Sequence, residues 1–258
     1  LDSASVTGAF RFVIRPGAAT AIEVTARLFF RADVDQVGIA PMSSMFLFDE
    51  AGRGAFDDWR PRVHSSNGLR IVRADGDVIW RALKNPAALA DSWFADRGGR
   101  FGLHQRGRDF DDYQDTLARF DRRPSLEVEP LGDWGPGAVR LVELPSDLEV
   151  NDNIVAFWVA EGAGARAGEV REYRYVQHWG DLAADGADRL ALVSATRAGA
   201  APDVPGARRF VVDFAGAALA ALPTDAAIEP VITLSAGEVI GRRLEPVPDK
   251  GVWRAVLD

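Results

Sequence analysis

The chain has 258 residues, 47% of them hydrophobic, enough for a substantial core, and its net charge of −8 repels polyphosphate partners, which sets nucleic acid aside. It has no cysteine, which removes disulfides, thiolate nucleophiles and Cys-ligated zinc. Three histidines at 64, 104 and 178, far apart in sequence, make a His-x₃-His metal site a poor expectation, and no apolar run reaches the length of a membrane-spanning helix.

In chain order, Ala9 to Arg15 and Ala21 to Arg31 alternate apolar and polar residues around Pro16-Gly17, which predicts an antiparallel pair. Leu69 to Arg73 and Val78 to Leu83 flank Ala74-Asp75-Gly76-Asp77 and read as a hairpin. Further strands are predicted at Met45–Phe48, Phe101–Gln105, Leu126–Glu129, Ala138–Leu144, Ile154–Val159 and Val170–His178. Asp111 to Phe120 carries Tyr113, Leu117 and Phe120 at helical spacing and predicts a short helix within a loop. Beyond Trp179 the texture changes, and a linker is expected over residues 181–188. Strands are then predicted at Arg189–Thr196, Arg208–Phe214 and Ile228–Ser235, and the chain stops near Trp253 to Asp258 in a strand pattern with no closing partner. Strands this short and frequent, separated by Gly, Pro and Asp, predict an all-β sandwich for residues 1–180 and a second, incomplete one for residues 189–258. Truncation at both ends is the matching expectation.

Two loop clusters combine acids, an aromatic residue and glycine or arginine. One runs from Phe56 to Gly68 and holds Asp57, Asp58, Trp59, Arg62 and His64; the other is Gly132-Asp133-Trp134-Gly135. An indole can cover the apolar face of a pyranose while carboxylates and guanidinium groups take its hydroxyls. The same residues equally suit sandwich caps and turns. Asn151-Asp152-Asn153 precedes an apolar strand and reads either as an Asx turn or as an acid held at a sheet rim, desolvated enough to donate a proton near neutrality. His64 lies in a polar loop and looks the most exposed of the three histidines, while His104 and His178 fall in strand patterns. No Gly-x-Ser-x-Gly elbow occurs, which argues against a serine hydrolase of that type.

Several blocks together resemble a known family. They include Gly38-Ile39-Ala40-Pro41-Met42-Ser43-Ser44-Met45-Phe46, Phe56-Asp57-Asp58-Trp59-Arg60-Pro61 running into His64, Ile79-Trp80-Arg81 with Asn85-Pro86, and Phe101-Gly102-Leu103. Arg123-Pro124-Ser125, Glu129-Pro130, Gly132-Asp133-Trp134-Gly135 and Asn151-Asp152-Asn153-Ile154-Val155-Ala156-Phe157-Trp158 follow in the same order. The pattern resembles the periplasmic glucan biosynthesis family OpgG/OpgD, also called MdoG/MdoD. The resemblance implies a galactose-mutarotase-like β-sandwich followed by an immunoglobulin-like domain, a periplasmic location, a β-1,2-glucan substrate and no cofactor. It also implies that some members hydrolyse the glucan with inversion, through a buried general-acid Asp that falls on Asp152. The second catalytic Asp of the family lies in a His-Asp-Ser-Asp-Gly segment, which here reads His64-Ser65-Ser66-Asn67-Gly68, so Ser65 stands at the family's base position. Asp57, Asp58, Trp59, Arg62, His64, Glu129, Asp133 and Trp134 are the expected substrate contacts, and Glu129 and Asp133 are the alternative acids. Two functions follow: hydrolysis or transfer of β-1,2-glucan chains, or a non-catalytic glucan-binding scaffold that guides nascent polymer from a membrane glucan synthase.

Overall fold

The computed structural model describes all residues except 50, 51, 74, 75, 163, 183–190, 233 and 235, and the side chain of Leu192. Residues 183–188 of the expected linker, the start of the strand expected at Arg189, and Ala74-Asp75 of the expected turn therefore lie outside the described residues. The chain forms two compact units, Leu1–Ala184 and Asp185–Asp258.

The strands of the first unit are, in chain order, β1 (Val6–Arg15), β2 (Thr20–Phe30), β3 (Gly38–Ser44), β4 (Phe46–Phe48), β5 (Val63–His64), β6 (Gly68–Val72) and β7 (Val78–Ala82). They continue as β8 (Ala90–Asp96), β9 (Arg100–His104), β10 (Ser125–Leu131), β11 (Gly137–Glu143), β12 (Ile154–Ala160) and β13 (Val170–Gly180). A seven-stranded sheet of order β1-β2-β13-β10-β9-β6-β7 faces a four-stranded sheet of order β3-β12-β11-β8, and every pairing is antiparallel. The all-β expectation and both predicted hairpins hold.

Period-two burial builds the core. Val24, Ala26, Leu28 and Phe30 of β2 are buried, and Leu69, Ile71, Phe101, Leu103, Leu126 and Val128 continue that inner face. Opposite them lie Val139, Leu141, Ile154, Ala156 and Trp158 of the smaller sheet. Burial of this apolar area, at about 25 cal/mol per Å², is the main force holding the two sheets together.

The helix expected over Asp111–Phe120 does not form; single 3-10 turns occur at Phe110–Asp112 and Phe120–Arg122. Tyr113 and Phe120 bury instead in a separate cluster with Met45, Leu47, Phe48 and Val63, while Leu117 stays 94% exposed. Only two of the three apolar residues have a core to face, so no helical stripe is rewarded.

The second unit carries β14 (Leu192–Ala200), β15 (Arg208–Ala215), a one-turn helix α1 (Ala217–Ala220), β16 (Arg242–Val247) and β17 (Val252–Leu257) in a sheet of order β14-β15-β17-β16. Two expectations fail here. The described residues between Ile228 and Ser235 form no strand, and Val231 is almost fully exposed. Trp253 to Leu257 does have partners: β17 is central, paired with both β15 and β16, and buries Trp253, Ala255 and Val256.

Candidate functional site

Local chemistry around Asn153 sets the position of Asp152. The turn from β11 to β12 closes with the Leu144 N–H donating to Asn153 O at 2.8 Å. The buried Asn153 side chain accepts from the Phe46 N–H at 2.9 Å and donates through Nδ2 to Phe46 O and Leu144 O at 2.9 and 3.0 Å. One amide thus ties the β3–β4 junction to the β11–β12 turn. Asn153→Ala leaves these backbone groups without their partner, and we expect a loss of about 2–3 kcal/mol, read as a lower midpoint in chemical denaturation.

Asp152 projects at the rim, where its Oδ2 accepts a hydrogen bond from Ser43 Oγ at 2.7 Å. It is exposed, which corrects the implied burial of the acid: the turn holds it at the mouth of a pocket. That pocket, of about 260 Å³, is lined by Asp152, Ser43, Ser65, Ser66, Arg123 and Trp179, among others. The two positions that the resemblance assigns to an acid and a base, Asp152 and Ser65, therefore line one concavity.

Ser65 is held firmly. Its N–H donates to Met45 O at 2.8 Å, and the next hydroxyl, Ser66, is buried against Ser44 Oγ at 2.6 Å. Asn67 anchors the loop from the other side: its N–H donates to His104 O at 2.8 Å and its Oδ1 accepts from the Arg106 N–H at 3.0 Å. Asn67 itself does not line the pocket.

The other expected contacts are elsewhere. His64 is fully buried, not exposed, because β5 pairs with β4 and packs the ring on Phe46 and against the edge of Tyr113. Its Nδ1 lies 2.9 Å from Gln105 Oε1, and burial pushes its pKa down to about 3 despite that hydrogen bond. It is held neutral within the core. The folded value lies below the unfolded one, so the unfolded chain binds the extra proton and stability falls as pH drops from about 6.5 toward 3. From pH 7 to pH 5 this one ring should cost about 2 kcal/mol. Denaturation of the parent and of His64→Gln at both pH values checks it: the substitution should remove most of that pH dependence.

Trp134 belongs to the core. It is 9% exposed, with Trp158, Tyr173 and Tyr175 at centroid distances of 5.2, 5.7 and 5.9 Å, so it has no free face for a sugar. Neighbouring Asp133 is a turn residue whose Oδ1 accepts from the Gly135 N–H at 2.7 Å, and Gly135 has φ +75°. Trp59 is 69% exposed and Asp57 is exposed, but neither lines the pocket with Asp152.

Asp58 is bound to Arg60, which holds its carboxyl below the usual range, and Arg60 also pairs with Asp115 at 2.8 Å and Glu149 at 2.7 Å. Arg62 pairs with Asp112 at 3.2 Å. This cluster fixes the loop and leaves little of Asp58 for a ligand. Glu129 points from the outer face of the seven-stranded sheet, paired with His178 at 2.8 Å and Arg100 at 3.1 Å, whereas the pocket residue Leu126 lies on the inner face.

Sequence reasoning gave no role to Ser43, Arg123 or Trp179. Trp179 sits on the inner face at the end of β13, where it is 36% exposed at the pocket wall. A strand-end tryptophan after the last core position is the signal that was available. Among the described residues no group of three His, Asp or Glu side chains is placed to hold a metal ion, and no helix is long and apolar enough to cross a membrane.

The chain is 50% identical to "Glucans biosynthesis protein G" of Cereibacter sphaeroides over 264 residues, covering all of this chain and 49% of that relative. It is 45% identical to "Glucans biosynthesis protein D 2" of Ralstonia nicotianae and 42% identical to "Glucans biosynthesis protein G" of Rhodopseudomonas palustris, again over the whole chain and 49% and 51% of those proteins. The chain thus spans about half the length of the curated relatives it matches. The profile described as "Periplasmic glucan biosynthesis protein, MdoG" matches residues 1–258, and the chain belongs to that family.

Proposed function

We propose that the protein acts in the periplasm in glucan biosynthesis, binding a β-1,2-glucan chain at the Asp152 pocket and using Asp152 as the proton donor in slow cleavage or transfer. The observation that carries this reading is the convergence of Asp152, Ser65, Arg123 and Trp179 on one pocket of about 260 Å³. That volume is just below the range of pockets that enclose drug-sized ligands, about 300–1,000 Å³, and suits one glucosyl unit of a longer chain. Trp179 offers an apolar surface, while the serine hydroxyls and Arg123 match sugar hydroxyls.

Cleavage of a glycosidic bond requires a proton on the departing oxygen. Asp152 is positioned by Asn153 and Ser43 at the mouth of the pocket, where its carboxyl can meet the glycosidic oxygen of a bound chain. Inversion also requires a group that keeps the proton of the attacking water. Ser65 can relay a proton but not retain it, and among the described residues no carboxylate besides Asp152 lines the pocket. That single-acid lining favours the second reading, a glucan-binding scaffold that guides nascent polymer from a membrane glucan synthase. Incubating the full-length protein with linear β-1,2-glucan separates the two: shorter or relinked products support catalysis, and binding without product supports the scaffold. Failure to bind the glucan would overturn both.

A further inference from the structure

We infer that the outer face of the smaller sheet carries a second glucan-binding groove, centred on Trp93 and remote from Asp152. This inference rests on the proposed glucan-binding function. The groove has a volume of about 850 Å³ and is lined by Trp93, Ala95, Asp96, Arg97, Glu161 and Arg73, among others.

Trp93 is 48% exposed, although it lies on β8 next to Phe94, which packs on the core. Its indole is preset. The Arg140 guanidinium lies 4.8 Å from the Trp93 ring and 5.7 Å from the Phe157 ring. Asp91 clamps that guanidinium with two hydrogen bonds of 2.9 and 3.0 Å, and Gln36 adds a third at 2.5 Å. An exposed aromatic ring held in place loses little freedom when a ligand stacks on it, which is the property of an anchor residue.

The polar lining points to the ligand class. Arg73 and Arg97 face the groove together with Asp96 and Glu161, so both signs of charge are present and neither an anion nor a cation is favoured. Arg73 Nε is buried without a hydrogen-bond partner among the described residues. Donors, acceptors and an indole face together suit a neutral polyhydroxylated chain.

Position adds a second argument. The groove includes Gly137 and Ala160, at one end of the β11–β12 pair, and Asp152 precedes Ile154 at the other. Seven residues of strand separate the two ends by about 20 Å, a distance several glucosyl units can span. One long chain could therefore occupy both sites, and its affinity should exceed that of a short one through effective concentration.

The test compares binding of the full-length protein to a long linear β-1,2-glucan and to the β-1,2-linked glucose disaccharide. Trp93→Ala should lower affinity for the long chain at least about tenfold, with the disaccharide much less affected. Trp93→Phe should recover most of the loss. A parent that binds neither sugar overturns the proposed function itself. A parent that binds the long chain, with a folded Trp93→Ala variant within about twofold of it, overturns the groove alone. Should Trp93→Ala fail to fold, Ala95→Gln, which fills the groove from an exposed position, must give the same selective loss or the inference falls.

Discussion

Asp152→Asn is expected to lower any turnover of linear β-1,2-glucan by the full-length protein at least about a hundredfold, the low end for removal of a general acid. The substitution is nearly isosteric. An amide oxygen can still accept from Ser43 Oγ, which Asp152 does at 2.7 Å, and the Asn153 anchor that sets the turn is untouched. Glucan affinity should therefore change little while the rate collapses. Product formation followed over time, alongside glucan binding, separates the two effects. Turnover within threefold of the parent would move the proton donor away from Asp152. Asp133 and Glu129 would be poor successors, the first engaged in its own turn and the second paired with His178 on the outer face of the larger sheet.

The sheets were legible wherever one face is buried and the other solvated. Val24, Ala26, Leu28 and Phe30 alternate with polar or exposed residues, and that alternation is itself the signature of a half-buried strand. Four strands escaped notice: the short β5, β16 of the second unit, and β3 and β8, the two edges of the smaller sheet. Pro41 in β3 reads as a strand breaker, but an edge strand has an unpaired side on which a missing N–H costs nothing. In β8 the outward residue is Trp93, so alternation of hydrophobicity is blurred where an aromatic faces solvent.

The site was legible in part. Asp152 at a sheet rim follows from an Asx cluster before an apolar strand, and the structure puts it there. Which aromatic is exposed could not be read, because Trp59 and Trp134 occur in loops of similar composition. Only tertiary packing against Trp158, Tyr173 and Tyr175 buries Trp134. His64 misled for the same reason: its polar neighbours on one side say nothing of Phe46 and Tyr113, which enclose it across the chain.

Ser65→Asp is expected to raise hydrolysis of β-1,2-glucan by about tenfold or more, up to the hundredfold or more that a well-positioned general base supplies. Ser65 lines the same pocket as Asp152, so the new carboxylate would join the existing one and complete the acid–base pair that inversion needs. The Ser65 N–H to Met45 O hydrogen bond is made by the backbone and survives the change, which keeps the loop in register. Asn67→Asp should add little by itself. Asn67 is outside the pocket and serves as an anchor, and a carboxylate there can still accept from the Arg106 N–H. The informative comparison is therefore Ser65→Asp against Asn67→Asp and the double variant, with the anomeric configuration of the first product followed by NMR. Inverted product from Ser65→Asp, abolished again by Asp152→Asn in the same background, would show the two carboxylates working across one bond. If the parent already hydrolyses briskly and Ser65→Asp adds nothing, a base outside the Ser65 loop must serve the reaction, and the single-acid reading of this pocket is wrong.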